Sequence, residues 1–164
     1  MIFNMLLVLV TFLAMEGVAW VTHKYIMHGF MWHWHKSHHT YHKDVLEKND
    51  LFAVVFSFSA MGLVLISALF SELYFLFYIA LGITAYGVSY FIFHDVLVHR
   101  RIKIKFQAKN SYLKRIMRAH YAHHKYHTRE GGEAFGFLYA PAKYDESNLR
   151  EAEAGVKEEL GIEN

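Results

Sequence analysis

Residues 51–99 read LFAVVFSFSAMGLVLISALFSELYFLFYIALGITAYGVSYFIFHDVLVH. Two apolar runs, 51 to 70 and 73 to 93, are each long enough to cross a bilayer as a helix, and only Ser71 and Glu72 separate them. So short a link predicts a tight helical hairpin, with Asn49 and Asp50 offering an N-cap to its first arm. A chain that leaves one face of the membrane at residue 51 then returns to the same face at His94.

Upstream, IFNMLLVLVTFLAMEGVAWV at 2–21 is a third spanning run with a single charge, Glu16. No Lys or Arg precedes Lys24 and the run leads straight into a histidine pair, so we read a retained membrane helix rather than a signal peptide. The positive charges that follow it place the amino terminus outside and residue 23 in the cytoplasm. His23 and His94 therefore emerge on one side. The fold expected is all-α, an integral membrane helical bundle of three to four transmembrane helices. It carries a histidine-rich two-metal site on the cytoplasmic side of a multi-pass membrane protein.

The histidines follow a pattern that occurs twice, H-x4-H and then H-x2-H-H. One copy is His23, His28, His35, His38 and His39; the other is His94, His99, His120, His123 and His124. Ten of thirteen histidines are used, and the chain has no cysteine to offer a competing thiolate site. On an α-helix, positions i, i+3 and i+4 share a face, so each triplet is expected to converge on one point. Positions i and i+5 lie about 140° apart, so each H-x4-H pair is expected where a helix ends or bends. Neutral imidazole suits Zn, Cu, Fe and Ni, and five nitrogens per copy suffice for two ions with open positions. No catalytic residue beyond these metal ligands is expected. The remaining histidines, His33, His42 and His127, are each expected to support the ligands or to lie at the surface rather than to ligate, with His42 and His127 the candidates for support.

Two acids stand close to the pattern. Glu16, Trp20 and His23 share a helical face, and an acid within a span is a candidate functional residue. It supports a histidine or makes an interhelical hydrogen bond. Asp95, beside His94, orients a ring or pairs with Arg100 or Arg101.

Composition fits the membrane reading, with 54% hydrophobic and 17% aromatic residues and one proline. The absence of cysteine excludes iron–sulfur clusters and thiolate-ligated haem. Residues 145 to 164 carry seven acids against two bases and read as an acidic C-terminal tail, leaving residues 1–144 as a single membrane domain. Eight basic residues and no acid lie between 100 and 118. Beside a membrane helix this run fits anionic lipid headgroups better than nucleic acid, with Ile102, Ile104 and Phe106 dipping into the interface. An acidic electron-transfer protein is a further partner it could dock. The stretch 111 to 127 is expected to be a helix presenting the last triplet. AFGFLYAP at 134–141 is expected to fold back over the site.

Further motifs are ME-x-x-A-W at 15–20, HKYIMHG-F-x-W at 23–32, H-x-x-HH at 35–39 and EKND at 47–50. They continue with F-x-x-HD-x-x-x-HRR at 91–101, AH-x-x-HHK at 119–125 and E-x-FG at 133–136. From about residue 12 to 144 the chain resembles the fatty acid hydroxylase superfamily, and within it the bacterial-type beta-carotene hydroxylases. The resemblance implies a non-haem di-iron monooxygenase, an oxidoreductase of carotenoid biosynthesis. It would place hydroxyl groups at C3 and C3′ of the β-ionone rings, taking beta-carotene through beta-cryptoxanthin to zeaxanthin. It also implies two iron ions on the ten patterned histidines, O2 as co-substrate, and electrons from reduced ferredoxin and its NAD(P)H-dependent reductase. The carotenoid would enter from the lipid phase of a bacterial inner membrane, with no nucleic acid as partner. A fatty acid or sterol hydroxylase or desaturase would use the same histidine boxes, and a membrane metal transporter is a rival of another class.

Overall fold

The computed structural model describes residues 1–40, 46–150 and 152. His42 and most of the acidic tail lie outside the described residues. The described residues include, in chain order, the helices α1 Ile2–Val21, α2 Trp32–His39, α3 Asp50–Leu69, α4 Phe75–Tyr90 and α5 Ser111–His124. No strand occurs among the described residues.

Two of these helices continue without a break into π-helical segments, α1 into Thr22–Phe30 and α4 into Phe91–Val98. With those extensions, Ile2–Phe30, Asp50–Leu69 and Phe75–Val98 are three helices long and apolar enough to cross a membrane. Their apolar side chains point outward: Phe3, Leu9, Val55, Phe58 and Leu65 are each at least half exposed. A bilayer leaves no water for backbone groups, so helices that satisfy their own hydrogen bonds are the form these runs must take. Helix α1 packs along α4, and α3 packs along the other side of α4.

The α1–α4 approach depends on a missing side chain. A Cβ at Gly82 would lie 2.6 Å from Thr11 Cβ and 2.8 Å from the Val8 carbonyl oxygen. Small residues at such crossings let two backbones close where lipid supplies no hydrophobic drive. The hairpin expected at Ser71 and Glu72 is a 3-10 turn, Ser71–Leu73. Asn49 stands at the N-cap position of α3, but its side chain makes no capping bond and is used elsewhere.

Helix α5 is capped by Asn110, whose Oδ1 accepts from Leu113 N at 2.8 Å. It ends at His124, earlier than the expected 127, and an irregular segment follows. Met15, Tyr86, Phe93, Ile116, Phe137 and Tyr144 form the apolar core between α1, α4, α5 and the returning segment. The basic run is partly consumed internally. Arg101 turns inward to Asp95, Asp50 and Glu47, while Arg115 and Arg118 pair with Asp145 and Glu146 of the tail. Ile102 and Ile104 remain exposed beside Lys103 and Lys105.

Candidate metal centre

The first H-x4-H pair sits in the π-helical segment Thr22–Phe30, and the second has His94 in Phe91–Val98 and His99 as the C-cap of that segment, which resolves their spacing. In a π-helix the hydrogen bond runs from residue i+5 back to residue i, which stacks i+5 nearly above i. His99 N donates to His94 O in this register at 2.9 Å. Each pair thus presents both rings to one side, where an α-helix would splay them. At Gly29 the backbone leaves helical geometry (φ −98°, ψ −126°), and α2 sets off in a new direction with the next three histidines.

The triplets do not converge as the helical face suggested. His35 and His39, one turn apart on α2, join His23 and His28, whereas His38 turns to the other group. On α5, His120 and His124 join His94 and His99, whereas His123 crosses over. The result is two clusters, His23, His28, His35, His39 and His123, and His38, His94, His99, His120 and His124. Within each, one ring nitrogen per residue lies within 4.8 Å of all the others. Each cluster takes four rings from its own copy of the pattern and one from the other.

Ring orientation in the first cluster is set from outside. His23 Nδ1 donates to Phe135 O at 2.9 Å, His28 Nδ1 to Arg129 O at 3.0 Å and His39 Nδ1 to Tyr126 O at 2.7 Å. His123 Nδ1 donates to Glu133 O at 2.7 Å, and His35 Nδ1 to Asn49 Oδ1 at 2.7 Å. A carbonyl only accepts, so Nδ1 carries the proton and the Nε2 lone pair faces inward. Those Nε2 atoms approach closely, His23 to His35 at 3.0 Å, His35 to His39 at 3.1 Å and His28 to His123 at 3.2 Å.

In the second cluster the Nε2 atoms of His38 and His94 are 3.0 Å apart, and those of His99 and His120 are 2.9 Å apart. His124 Nε2 is buried without a hydrogen-bond partner among the described residues. In the first cluster, where every Nδ1 carries the proton, the Nε2 contacts are between lone pairs, which repel one another unless a cation lies between them. Metal–imidazole bonds of about 2.1 Å place neighbouring nitrogens about 3 Å apart, which matches these contacts. The donor set therefore fits two metal ions.

Protons are poor substitutes for those cations. Burial, reinforced by neighbouring imidazoles, lowers His39 to about 4, His123 and His99 to about 3 and His35 to about 2. The same causes hold His38, His120 and His124 well below the ordinary imidazole value. Seven rings outside the spanning segments are thus kept neutral, the form that ligates.

The supporting residues divide differently from expectation. Among the described residues Glu16 hydrogen-bonds to no histidine: it accepts from Tyr86 Oη at 2.8 Å and from Leu138 N at 2.9 Å. It thereby fastens the segment whose Phe135 carbonyl orients His23. Asp95 does both things open to it, accepting from His94 Nδ1 at 3.3 Å and from Arg101 Nε at 2.9 Å. His127 Nδ1 donates to His39 O at 2.6 Å, so it braces the end of α2 through the backbone. His33 lies beside Trp34 and outside both clusters. Phe135 lies against His23, His28 and His123, so the aromatic segment does cover the first cluster. Asn49 and Glu47 escaped a reading based on helix caps, although the EKND motif held both.

The fold and site define a class, membrane-helix bundles built around a double histidine cluster suited to metal. The family model for fatty acid hydroxylase matches residues 8–142, and the chain belongs to that family. It is 46% identical over 152 residues to a beta-carotene hydroxylase of Pseudescherichia vulneris, covering 92% of this chain and 85% of the relative. The beta-carotene hydroxylase of Pantoea ananas is 47% identical over 140 residues, covering 85% of this chain and 79% of the relative. A chloroplastic beta-carotene hydroxylase of Capsicum annuum is 33% identical over 146 residues, covering 87% of this chain and 47% of the relative. No solved structure matches the chain significantly.

Proposed function

We propose that the chain is a beta-carotene 3-hydroxylase of carotenoid biosynthesis, acting through two iron ions held by the ten clustered histidines. The observation that carries the reading is the sorting of those ten rings into two inward-facing five-nitrogen clusters at one end of a membrane bundle, in a chain related to beta-carotene hydroxylases.

When bound, iron supplies the O2 and one-electron chemistry that an unactivated ring C–H bond requires. The chain's own groups do the rest. Proton placement on Nδ1 keeps each Nε2 available as a ligand, and carbonyls from 126 to 135 hold four rings of the first cluster in that tautomer. Phe135 shields that cluster from water, and Trp20 on the lipid-exposed side of α1 meets Phe135 edge-on at 6.2 Å. An apolar ring can approach along this aromatic surface from the lipid. Each hydroxylation takes one O2, two electrons and two protons, releasing one water. The electrons come from reduced ferredoxin and its NAD(P)H-dependent reductase. The site faces the cytoplasm of a bacterial inner membrane, because Lys24 and the basic run flank the histidine end.

The test is pigment analysis of beta-carotene-producing cells that express the chain. Beta-cryptoxanthin and zeaxanthin are expected. Unchanged beta-carotene, with the protein inserted and a reduced ferredoxin supplied, would overturn the carotenoid assignment, and hydroxylated or desaturated acyl chains would then identify the lipid alternative.

A further inference from the structure

The two clusters differ in what stands behind their rings. All five Nδ1 partners of the first cluster are neutral: four backbone carbonyls and the Asn49 amide. Behind the second cluster stand carboxylates. Asp95 Oδ2 lies 3.3 Å from His94 Nδ1, and Glu47 Oε2 lies 3.5 Å from His38 Nδ1. Both acids are withdrawn from solvent, with side chains 13% and 6% exposed.

Arg101 locks this arrangement. Its guanidinium meets Asp95 Oδ1 and Asp50 Oδ1, each at 2.9 Å, and also Glu47. Asp95 and Glu47 each direct one oxygen to Arg101 and the other towards a histidine. Three carboxylates thus gather around one guanidinium beside the second cluster, whereas the five Nδ1 partners of the first cluster are all uncharged. The Asp95 carboxylate, accepting from His94 Nδ1–H, raises the basicity of Nε2 and fixes that ring's direction, and the Glu47 carboxylate brings its charge beside His38. Negative charge beside the site also favours a cation there.

We propose that the clusters are inequivalent ion sites, and that Asp95 and Glu47, clamped by Arg101, are positioning residues that make the His38, His94, His99, His120 and His124 site the tighter one. This rests on the reading of the clusters as ion sites. It adds an order of loading: the second cluster fills first and empties last.

The test uses the full chain in detergent, loaded anaerobically with two equivalents of Fe(II) and challenged with excess chelator. Release is expected in two phases of one equivalent each. Asp95→Asn, which nearly keeps the side chain's shape, should speed the slow phase by roughly 10- to 100-fold and leave the fast phase unchanged. Glu47→Gln should act on the same phase, giving a second route if one variant loses helical content. Asp95→Glu should restore part of the retention. Asn49→Ala, which removes the partner of His35, should speed the fast phase alone. Release of both ions in a single phase from the native chain overturns the proposal, as does acceleration of the same phase by Asp95→Asn and Asn49→Ala. Binding of fewer than two ions by the native chain removes the ion-site reading itself, a result distinct from two ions leaving together.

Discussion

Replacing Gly136 with alanine should unlatch the segment that covers the first cluster. A Cβ at this position would lie 2.3 Å from Glu16 Oε1 and 3.2 Å from its Cδ, so the carboxylate has to withdraw by about 1 Å to reach ordinary contact. Glu16 is not a loose side chain that can swing away. It accepts from Tyr86 Oη at 2.8 Å and Leu138 N at 2.9 Å, and a displacement of that size takes both beyond hydrogen-bonding range. Hydrogen bonds to a charged acceptor contribute about 1.5–3 kcal/mol, and those within membrane bundles average less, so we assign about 1–2 kcal/mol to each. The total of about 2–4 kcal/mol corresponds to a fall in melting temperature of roughly 5–15 °C for a chain of this size. Thermal unfolding in detergent measures it, and a double-mutant cycle with Glu16→Ala isolates the cause. On the Glu16→Ala background the clash is gone, so Gly136→Ala should cost little further. An equal cost on both backgrounds would refute the latch.

Three further outcomes are expected. His38→Ala and His123→Ala should each abolish hydroxylation and leave membrane insertion intact; by metal analysis each should leave about one ion per chain, since each removes a ring from a different cluster. Gly82→Ala should cost about 1–3 kcal/mol by forcing α1 from α4, because the new Cβ meets the Val8 backbone oxygen at 2.8 Å; an unchanged melting temperature would contradict that close crossing. Acid should release the ions late. Release requires protonated rings, and burial lowers His39 to about 4 and His123 to about 3, so ions should survive exchange at pH 5.5 and be lost near pH 4. The metal-free fold should weaken earlier, from about pH 6.5 down to about pH 3, since over that window the unfolded chain takes up protons that the buried rings refuse. Metal content after buffer exchange and unfolding of the metal-free protein follow both effects.

Much of the architecture was legible because membrane helices announce themselves by length and apolarity. The hairpin at Ser71 and Glu72 and the shared side of His23 and His94 followed from counting residues. The site was legible as a set of residues and less so as a geometry. An α-helical wheel sends His35, His38 and His39 to one point, yet the broad face of α2 lies between two clusters, so its middle ring serves the neighbour. The H-x4-H spacing marked an irregularity without naming it; the π-helix satisfies backbone hydrogen bonds in the membrane while stacking i over i+5, which a bend or chain end would not do. Four of the five groups that orient the first cluster are backbone carbonyls, which no side-chain pattern displays. The sequence already offered Arg101 to Asp95, but its pairing with Glu47 and Asp50 joins segments distant in sequence, which no local pattern displays.

Two five-histidine sites in one chain can be tested most directly by anaerobic loading with ferrous iron, followed by iron counting and X-ray absorption on the same sample. Two irons per chain, coordinated chiefly by imidazole nitrogen at about 2.1 Å, are predicted. One iron per chain, or a coordination shell dominated by oxygen from solvent, would contradict the two-cluster centre.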